Sequence, residues 1–128
     1  DYGANITYCE PTLSARESTL KTIINETKAI EIHSYNDERI IAGHGTVALE
    51  LLQNIADLDV IIAPVGGGGL ISGTCIAAKG INSDITIVGA EPKGADDAYQ
   101  SLEKGEIIRF KKGISGSDRK DAQPSHVK

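Results

Sequence analysis

Apolar residues follow two different spacings along the chain, and these spacings predict strands and helices in turn. Continuous apolar runs at 59–64 and 85–90 are typical of strands buried on both faces of a parallel sheet. Apolar residues three and four positions apart predict helices between them. We expect helices at about 14–28, from Gly43 onward, at 70–79 and at 95–104, and short strands at 5–9 and 29–33. The alternation favours an α/β fold with a mostly parallel sheet.

The polar residues predict where these elements begin and end. Ser14 and Glu17 have the spacing of a capping box at the start of the first helix, and Gly105 is expected to end the last one in a left-handed conformation. The polar segment 34–38 is the best candidate for a crossing between two domains. Residues 109–128 have few large aliphatic side chains and no periodicity, which predicts a disordered tail.

Four consecutive glycines, Gly66, Gly67, Gly68 and Gly69, separate a predicted buried strand from a predicted helix that begins with Leu70. Glycines allow a sharp turn and a close approach of the backbone to a ligand. Amides at the positive end of a helix dipole suit a phosphate dianion. No Lys-Ser/Thr pair follows at P-loop spacing, and a dinucleotide-binding fingerprint fits only loosely. The run predicts either a phosphate site or simply a tight strand-to-helix turn.

Composition narrows the classes of protein that remain. Hydrophobic residues make up 40% and charged residues 24%, as in ordinary globular proteins, and the net charge is −5. Without a basic stripe or a long apolar run, we expect neither a nucleic-acid partner nor a membrane partner. Cys9 and Cys75 lack metal-site spacing and are expected to be buried in a reducing, cytoplasmic setting. The start at Asp1, without a Met or a signal peptide, suggests a partial sequence.

Several motifs carry a resemblance to one enzyme family. Residues 42–50 read AGHGTVALE and resemble an AGQGT-x-ALE segment, residues 64–69 read PVGGGG, and residues 90–97 read AEPKGADD and resemble an AEPxxADD segment. Shorter matches are YGA at 2–4 and SARE at 14–17. On these residues the chain resembles the serine racemase and serine-threonine dehydratase family of pyridoxal-phosphate enzymes.

The resemblance implies a fold and a domain organisation. Members have fold type II, a three-layer parallel-sheet architecture like that of the tryptophan synthase β subunit, which would be incomplete here. Residues 1–34 would be the C-terminal part of the small domain, and residues 35–108 part of the large cofactor-binding domain. Residues 109–128 diverge from the family. The backbone amides of Gly66, Gly67, Gly68, Gly69 and Leu70 would hold the phosphate of pyridoxal 5′-phosphate.

The implied activity is conversion of L-serine to D-serine, with a serine or threonine dehydratase side reaction in which the β-hydroxyl is lost and a 2-oxo acid and ammonia form. The small-molecule partner would be serine, possibly threonine, and the full-length enzyme would be a homodimer. Two alternatives remain open at this point. One is a dedicated threonine dehydratase, and the other is a non-catalytic fragment that binds a phosphate or nucleotide.

A metal site is implied by the same resemblance. Glu91, Ala95 and Asp97 match a divalent-cation site made of two carboxylates and one backbone carbonyl, a ligand set that suits Mg²⁺ or Ca²⁺. Taken without the resemblance, Glu91 and Asp97 could instead complement the dipole of the helix that follows them. Both interpretations stay open on the sequence.

The chain also departs from the family pattern. The family's catalytic lysine, in an S-x-K-x-R-G segment, is expected to precede residue 1, so no catalytic residue is assigned and the chain alone is expected to be inactive. His44 stands where the family has Gln and is interpreted as a polar loop residue. His33 is expected to be structural, and Tyr35 to lie in a connection near the cofactor, without an assigned role.

Overall fold

The computed structural model describes residues 3–108 and, for the backbone alone, residues 124–127. The chain divides into two compact units, Asp1–Ile32 and His33–Lys128. The assignment of residues 1–34 and 35–108 to a small and a large domain stays a prediction.

The first unit is built around one helix, α1 (Leu13–Thr27), close to the predicted bounds. Its N-cap is Thr12, whose Oγ1 accepts a hydrogen bond from the Ala15 amide at 3.2 Å. The predicted capping box of Ser14 and Glu17 is therefore wrong, because the helix begins one residue before Ser14. At the other end Lys28, at φ 57°, closes the helix in the left-handed conformation.

The short strands predicted at 5–9 and 29–33 are absent from the structure. β-Rich sequence forms a strand only when a neighbouring backbone pairs with it, and the described residues supply no partner for either segment. Ile6 and Ile30 are accordingly exposed. Cys9 lies in the first of these segments and is exposed too, so its predicted burial is wrong.

The second unit contains the remaining elements. These are α2 (Glu38–Asn54), β1 (Val60–Pro64), α3 (Gly69–Ile81), β2 (Thr86–Pro92), α4 (Asp97–Lys104) and β3 (Pro124–Val127). Strands β1 and β2 pair in parallel, from Val60 opposite Thr86 to Pro64 opposite Ala90, and α3 connects them. The predicted α/β fold with a parallel sheet is confirmed, and so are the positions of the two strands and the left-handed Gly105 at φ 66°. The predicted burial of β1 on both faces is wrong, because Val60 and Ile62 are exposed on one face.

Helix α2 begins earlier than predicted, at Glu38 instead of Gly43. Asp37 is its N-cap and accepts a hydrogen bond from the Arg39 amide at 2.9 Å. The Arg39 guanidinium also pairs with this carboxylate at 2.7 Å. The hydrogen bonds that Arg39 donates, first from its side chain and then from its amide, lower the pKa of Asp37 to about 2. Two glycines inside the helix weakened the sequence signal, since glycine is a poor helix former.

Strand β3 differs from the disorder predicted for 109–128. It extends the sheet on the far side of β2, antiparallel, with Ala90 opposite Val127 and Glu91 opposite His126. The free edge of β2 offers unpaired backbone groups that a short segment can satisfy whatever its hydrophobicity. Residues 109–123 and 128 lie outside the described residues.

Helices α2 and α3 pack backbone to backbone where two glycines meet. A Cβ built on Gly73 would lie 2.3 Å from the Ile41 carbonyl oxygen and 2.6 Å from the Gly45 nitrogen. One built on Gly45 would lie 3.1 Å from the Gly73 oxygen. Beside this contact a small core joins the helices to the sheet, with Ala48, Ile61, Ala78 and Ile85 buried together. The contact brings the first turns of α2 close to α3.

We predict opposite effects for two glycine-to-alanine substitutions within these helices. Gly73→Ala should destabilise the fold by about 1–3 kcal/mol, because the new methyl group overlaps the α2 backbone. Gly43→Ala should stabilise it by about 0.5–1 kcal/mol, because a Cβ on Gly43 meets nothing within 4 Å. Urea unfolding followed by circular dichroism checks both. Equal stability of the two variants would contradict the proposed helix contact.

Candidate functional site

The glycine run lies between the end of β1 and the start of α3. Gly68 is the N-cap of α3 at φ 89° and ψ −11°, a left-handed conformation that residues with a side chain rarely adopt. The first backbone hydrogen bond of the helix runs from the Ser72 amide to the Gly68 oxygen. The amides of Gly69 and Leu70 therefore have no partner inside the helix.

One side of this glycine loop is open. A Cβ built on Gly66 or on Gly68 meets nothing within 4 Å, so the backbone there borders free space. Backbone amides at the positive end of a helix dipole suit a phosphate dianion, and the open space at Gly66 and Gly68 leaves room beside the helix start. The loop is also anchored, because the Val65 amide donates to the Ala90 oxygen of β2 at 3.0 Å.

Tyr35 covers the other side of the loop. A Cβ built on Gly67 would lie 2.3–2.5 Å from the Tyr35 ring, and one built on Gly69 would lie 2.8 Å from the Tyr35 carbonyl oxygen. The ring therefore packs directly on the backbone of Gly67. The sequence gives Tyr35 no role, since only the folded chain shows that Gly67 and Gly69 make room for this neighbour.

His33 shapes the turn that carries Tyr35. Its Nδ1 accepts hydrogen bonds from the Asn36 amide at 2.9 Å and from the Tyr35 amide at 3.3 Å. The two rings also meet edge to face, with 4.5 Å between centroids and 89° between planes. His33 thus has a structural role, as its position in the sequence predicted.

His44 lies inside α2 and not in a loop, because the helix begins six residues before it. This position differs from the predicted polar loop. Helical spacing places His44 on the same face as Ala48, which is buried in the core. Within the described part of the chain its Nδ1 is buried and has no hydrogen-bond partner.

Glu91 lies at the end of β2 and is only 7% exposed. Its two carboxylate oxygens accept hydrogen bonds from the first turn of α4, from the Ala98 amide at 3.2 Å and from the Tyr99 amide at 2.8 Å. The N-cap residue Asp96 makes no capping hydrogen bond with its side chain. Glu91 therefore does the work of a helix cap, which was one of the two sequence interpretations.

The other predicted metal ligands lie close to Glu91 in the chain. Ala95 is buried, and its amide donates to the Pro92 oxygen at 2.8 Å, while Asp97 is the first residue of α4. Among the described residues, no group of three or more His, Cys, Asp or Glu side chains is arranged to hold a metal ion. A site with two carboxylates and a carbonyl stays a prediction.

An apolar cavity of about 300 Å³ lies beside the same cap. Val65 and Ile87 contribute apolar walls, and Cys75 and Tyr99 face it from α3 and α4.

No helix in the part of the chain described by the structure combines the length and the apolar character that crossing a bilayer requires.

Comparison with known proteins points to one family. A family model described as "pyridoxal-phosphate dependent enzyme" matches residues 1–125. The serine racemase of Dictyostelium discoideum is 51% identical over 112 residues, which cover 88% of this chain and 35% of that protein. The chain spans about a third of the length of the curated relatives that it matches.

Solved structures give the same picture. Maize serine racemase superposes with a TM-score of 0.86 at 46% identity, covering 88% of this chain and 34% of that one. The T.th. threonine deaminase superposes with a TM-score of 0.82 at 38% identity, covering 87% of this chain and 37% of that one. Both similarities extend over most of the chain.

Proposed function

Because the chain belongs to the family of pyridoxal-phosphate dependent enzymes, with the fold type II of its structural neighbours, we propose that it supplies the phosphate-binding part of a serine racemase. The whole enzyme would convert L-serine to D-serine and would also convert serine to pyruvate and ammonia. Similarity to the serine racemases of Dictyostelium discoideum and maize supports this choice of substrate.

The glycine loop is the observation that carries the proposal. Gly66 to Gly69 and Leu70 would hold the cofactor phosphate through their amides, and the start of α3 would stabilise its charge. Gly68 is left-handed, which would turn the backbone toward the phosphate, and Tyr35 lies against Gly67. When bound, pyridoxal phosphate supplies an electron sink for the charge that remains after the α-proton leaves.

Catalytic residues are proposed to lie outside this chain. Lys79 is unsuited to bind the cofactor aldehyde, because its Nζ donates to the Ser83 oxygen at 2.7 Å, at the C-terminal end of α3. The glycine loop lies at the opposite end of this helix. We therefore expect the chain to bind the cofactor phosphate without performing the reaction.

We predict that Gly68→Ala weakens phosphate binding, whereas Gly105→Ala does not. Both glycines have positive φ and open space at the Cβ position, so the two variants carry the same kind of backbone strain. Only Gly68 belongs to the loop. Phosphorus NMR with pyridoxine 5′-phosphate, which has no aldehyde to react with lysines, should show about tenfold weaker binding for Gly68→Ala.

The wild-type chain should bind pyridoxine 5′-phosphate more tightly than it binds inorganic phosphate or adenosine monophosphate. Equal binding of all three would favour the alternative of a non-catalytic phosphate-binding fragment. Equal losses in the Gly68 and Gly105 variants would show that strain, and not the loop, governs binding.

A second prediction concerns activity, and it uses a chimera. Residues 3–108 replace the matched segment of the Dictyostelium discoideum serine racemase, and the product is incubated with L-serine or L-threonine. We expect D-serine and pyruvate from serine, with 2-oxobutyrate from threonine formed more slowly. Retained cofactor absorbance confirms that the chimera is assembled.

The threonine deaminase structure keeps a second candidate function in view, because its similarity extends over 87% of this chain. If the chimera retains its cofactor and forms 2-oxobutyrate faster than D-serine, this dehydratase assignment replaces the racemase. Assembly without any of the three products would contradict both assignments.

We further propose that Glu91, Ala95 and Asp97 bind a divalent cation, Mg²⁺ or Ca²⁺. Each Glu91 oxygen accepts one amide hydrogen bond and keeps a second lone pair, so capping α4 leaves the carboxylate able to coordinate. Ala95 and Asp97 follow Glu91 in the chain, in the segment that leads into α4. Their carbonyl and carboxylate would supply the other ligands. Oxygen ligands of this kind suit both ions.

Calorimetric titration with Ca²⁺ and Mg²⁺ checks this site. We predict that Asp97→Asn weakens cation binding by about tenfold or more, because a carboxylate ligand is lost. The matched control is Asp84→Asn, which alters an exposed carboxylate just after the C-terminal end of α3. This variant should bind the cations as the wild type does. Equal binding by the wild type and Asp97→Asn would leave Glu91 with its capping role alone.

A further inference from the structure

The contacts of His33 require one protonation state. Nδ1 of His33 accepts two backbone hydrogen bonds, from Tyr35 and from Asn36. A ring nitrogen can accept only when it carries no proton, and in the charged imidazolium both ring nitrogens are donors. The turn seen here therefore belongs to the neutral form of His33, with its proton on Nε2.

This turn is joined directly to the glycine loop. The Tyr35 ring lies on Gly67, and the Tyr35 carbonyl lies against Gly69, so a change in the backbone at 35 and 36 moves the wall of the loop. The ring also makes a perpendicular contact with the His33 ring. No helix or strand includes Tyr35, which leaves these contacts to fix its position.

The charged groups around His33 do not compensate a proton on its ring. Asp37 is engaged by Arg39, in an ion pair of 2.7 Å, and Glu38 is exposed at the start of α2. The glycine loop at 65–70 has no ionisable side chain. Within the described residues no carboxylate pairs with His33. Protonation would therefore exchange two accepted hydrogen bonds for an unpaired charge.

We propose that His33 is the positioning residue of the glycine loop: in its neutral form it holds Tyr35 against Gly67, and protonation of Nδ1 releases Tyr35. The consequence for pyridoxal phosphate rests on the function proposed above. The loop keeps its tyrosine wall while Nδ1 of His33 carries no proton, and loses it when this nitrogen is protonated.

Proton and amide NMR of the 128-residue chain tests this coupling. The Tyr35 ring should displace the Gly67 α-proton resonances upfield at about pH 8, and most of this displacement should disappear by about pH 5. The amides of Tyr35 and Asn36 should shift with the same midpoint as the His33 ring protons. In Tyr35→Leu the displacement should be absent at every pH.

The matched control is His33→Asn. An asparagine side-chain oxygen can accept the same two amides, two and three residues ahead, and it does not titrate. In this variant the Gly67 displacement should persist from about pH 8 to 5. Well-dispersed spectra verify that each variant is folded. If His33→Asn does not fold, His33→Gln replaces it as the variant without a titrating side chain.

The outcomes for His33 and for the cofactor can be told apart. A Gly67 resonance that ignores the His33 titration, or that shifts equally in His33→Asn, overturns the positioning role even if pyridoxine 5′-phosphate binds. A Gly67 resonance that follows His33 in a chain that fails to bind pyridoxine 5′-phosphate supports the positioning role and removes the function proposed above.

Discussion

The contact between two backbones, at Gly73 of α3 and Gly45 of α2, is the constraint on which the rest of the second unit depends. A Cβ built on Gly73 would lie 2.6 Å from the Gly45 nitrogen, so even one methyl group would push the helices apart. Their approach closes the core around Ala48 and Ala78. It also brings the segment that precedes α2 up to α3, where Tyr35 meets the glycine loop.

The sequence predicted the helices and strands that can be recognised from their own pattern of apolar residues. The apolar runs of β1 and β2 and the helices after them were found, because continuous apolar runs are typical of strands in a parallel sheet, although one face of β1 is exposed here. It failed where a partner decides the outcome. Segments 5–9 and 29–33 have strand-forming residues without a neighbour, whereas Pro124–Val127 has weak propensity but meets the free edge of β2.

The candidate site shows the same division. The run from Gly66 to Gly69 was identified from composition and position, because a need for bare backbone is visible in the sequence. The sequence predicted only one reason for the glycines, the close approach of a ligand. In the structure Gly66 and Gly68 border open space, whereas Gly67 makes room for Tyr35. Glu91 was identified as well, and its two amide hydrogen bonds show a capping role that neither excludes nor requires a cation.

The proposed phosphate site would fit within about a third of an enzyme, because the strand, the glycine loop and the helix start that form it are consecutive in sequence. One strand, one glycine loop and the first turn of one helix supply the amides and the dipole, and Tyr35 is brought in by the adjoining helix contact. Proton transfer is different, since it needs a base held against the substrate by parts of the chain that converge from a distance. Exposed apolar residues on β1, such as Ile62 at 59%, are a face that such further parts of the fold could cover. In the function proposed above, binding of the cofactor phosphate would therefore be local, whereas the chemistry on serine would be a property of the assembled enzyme.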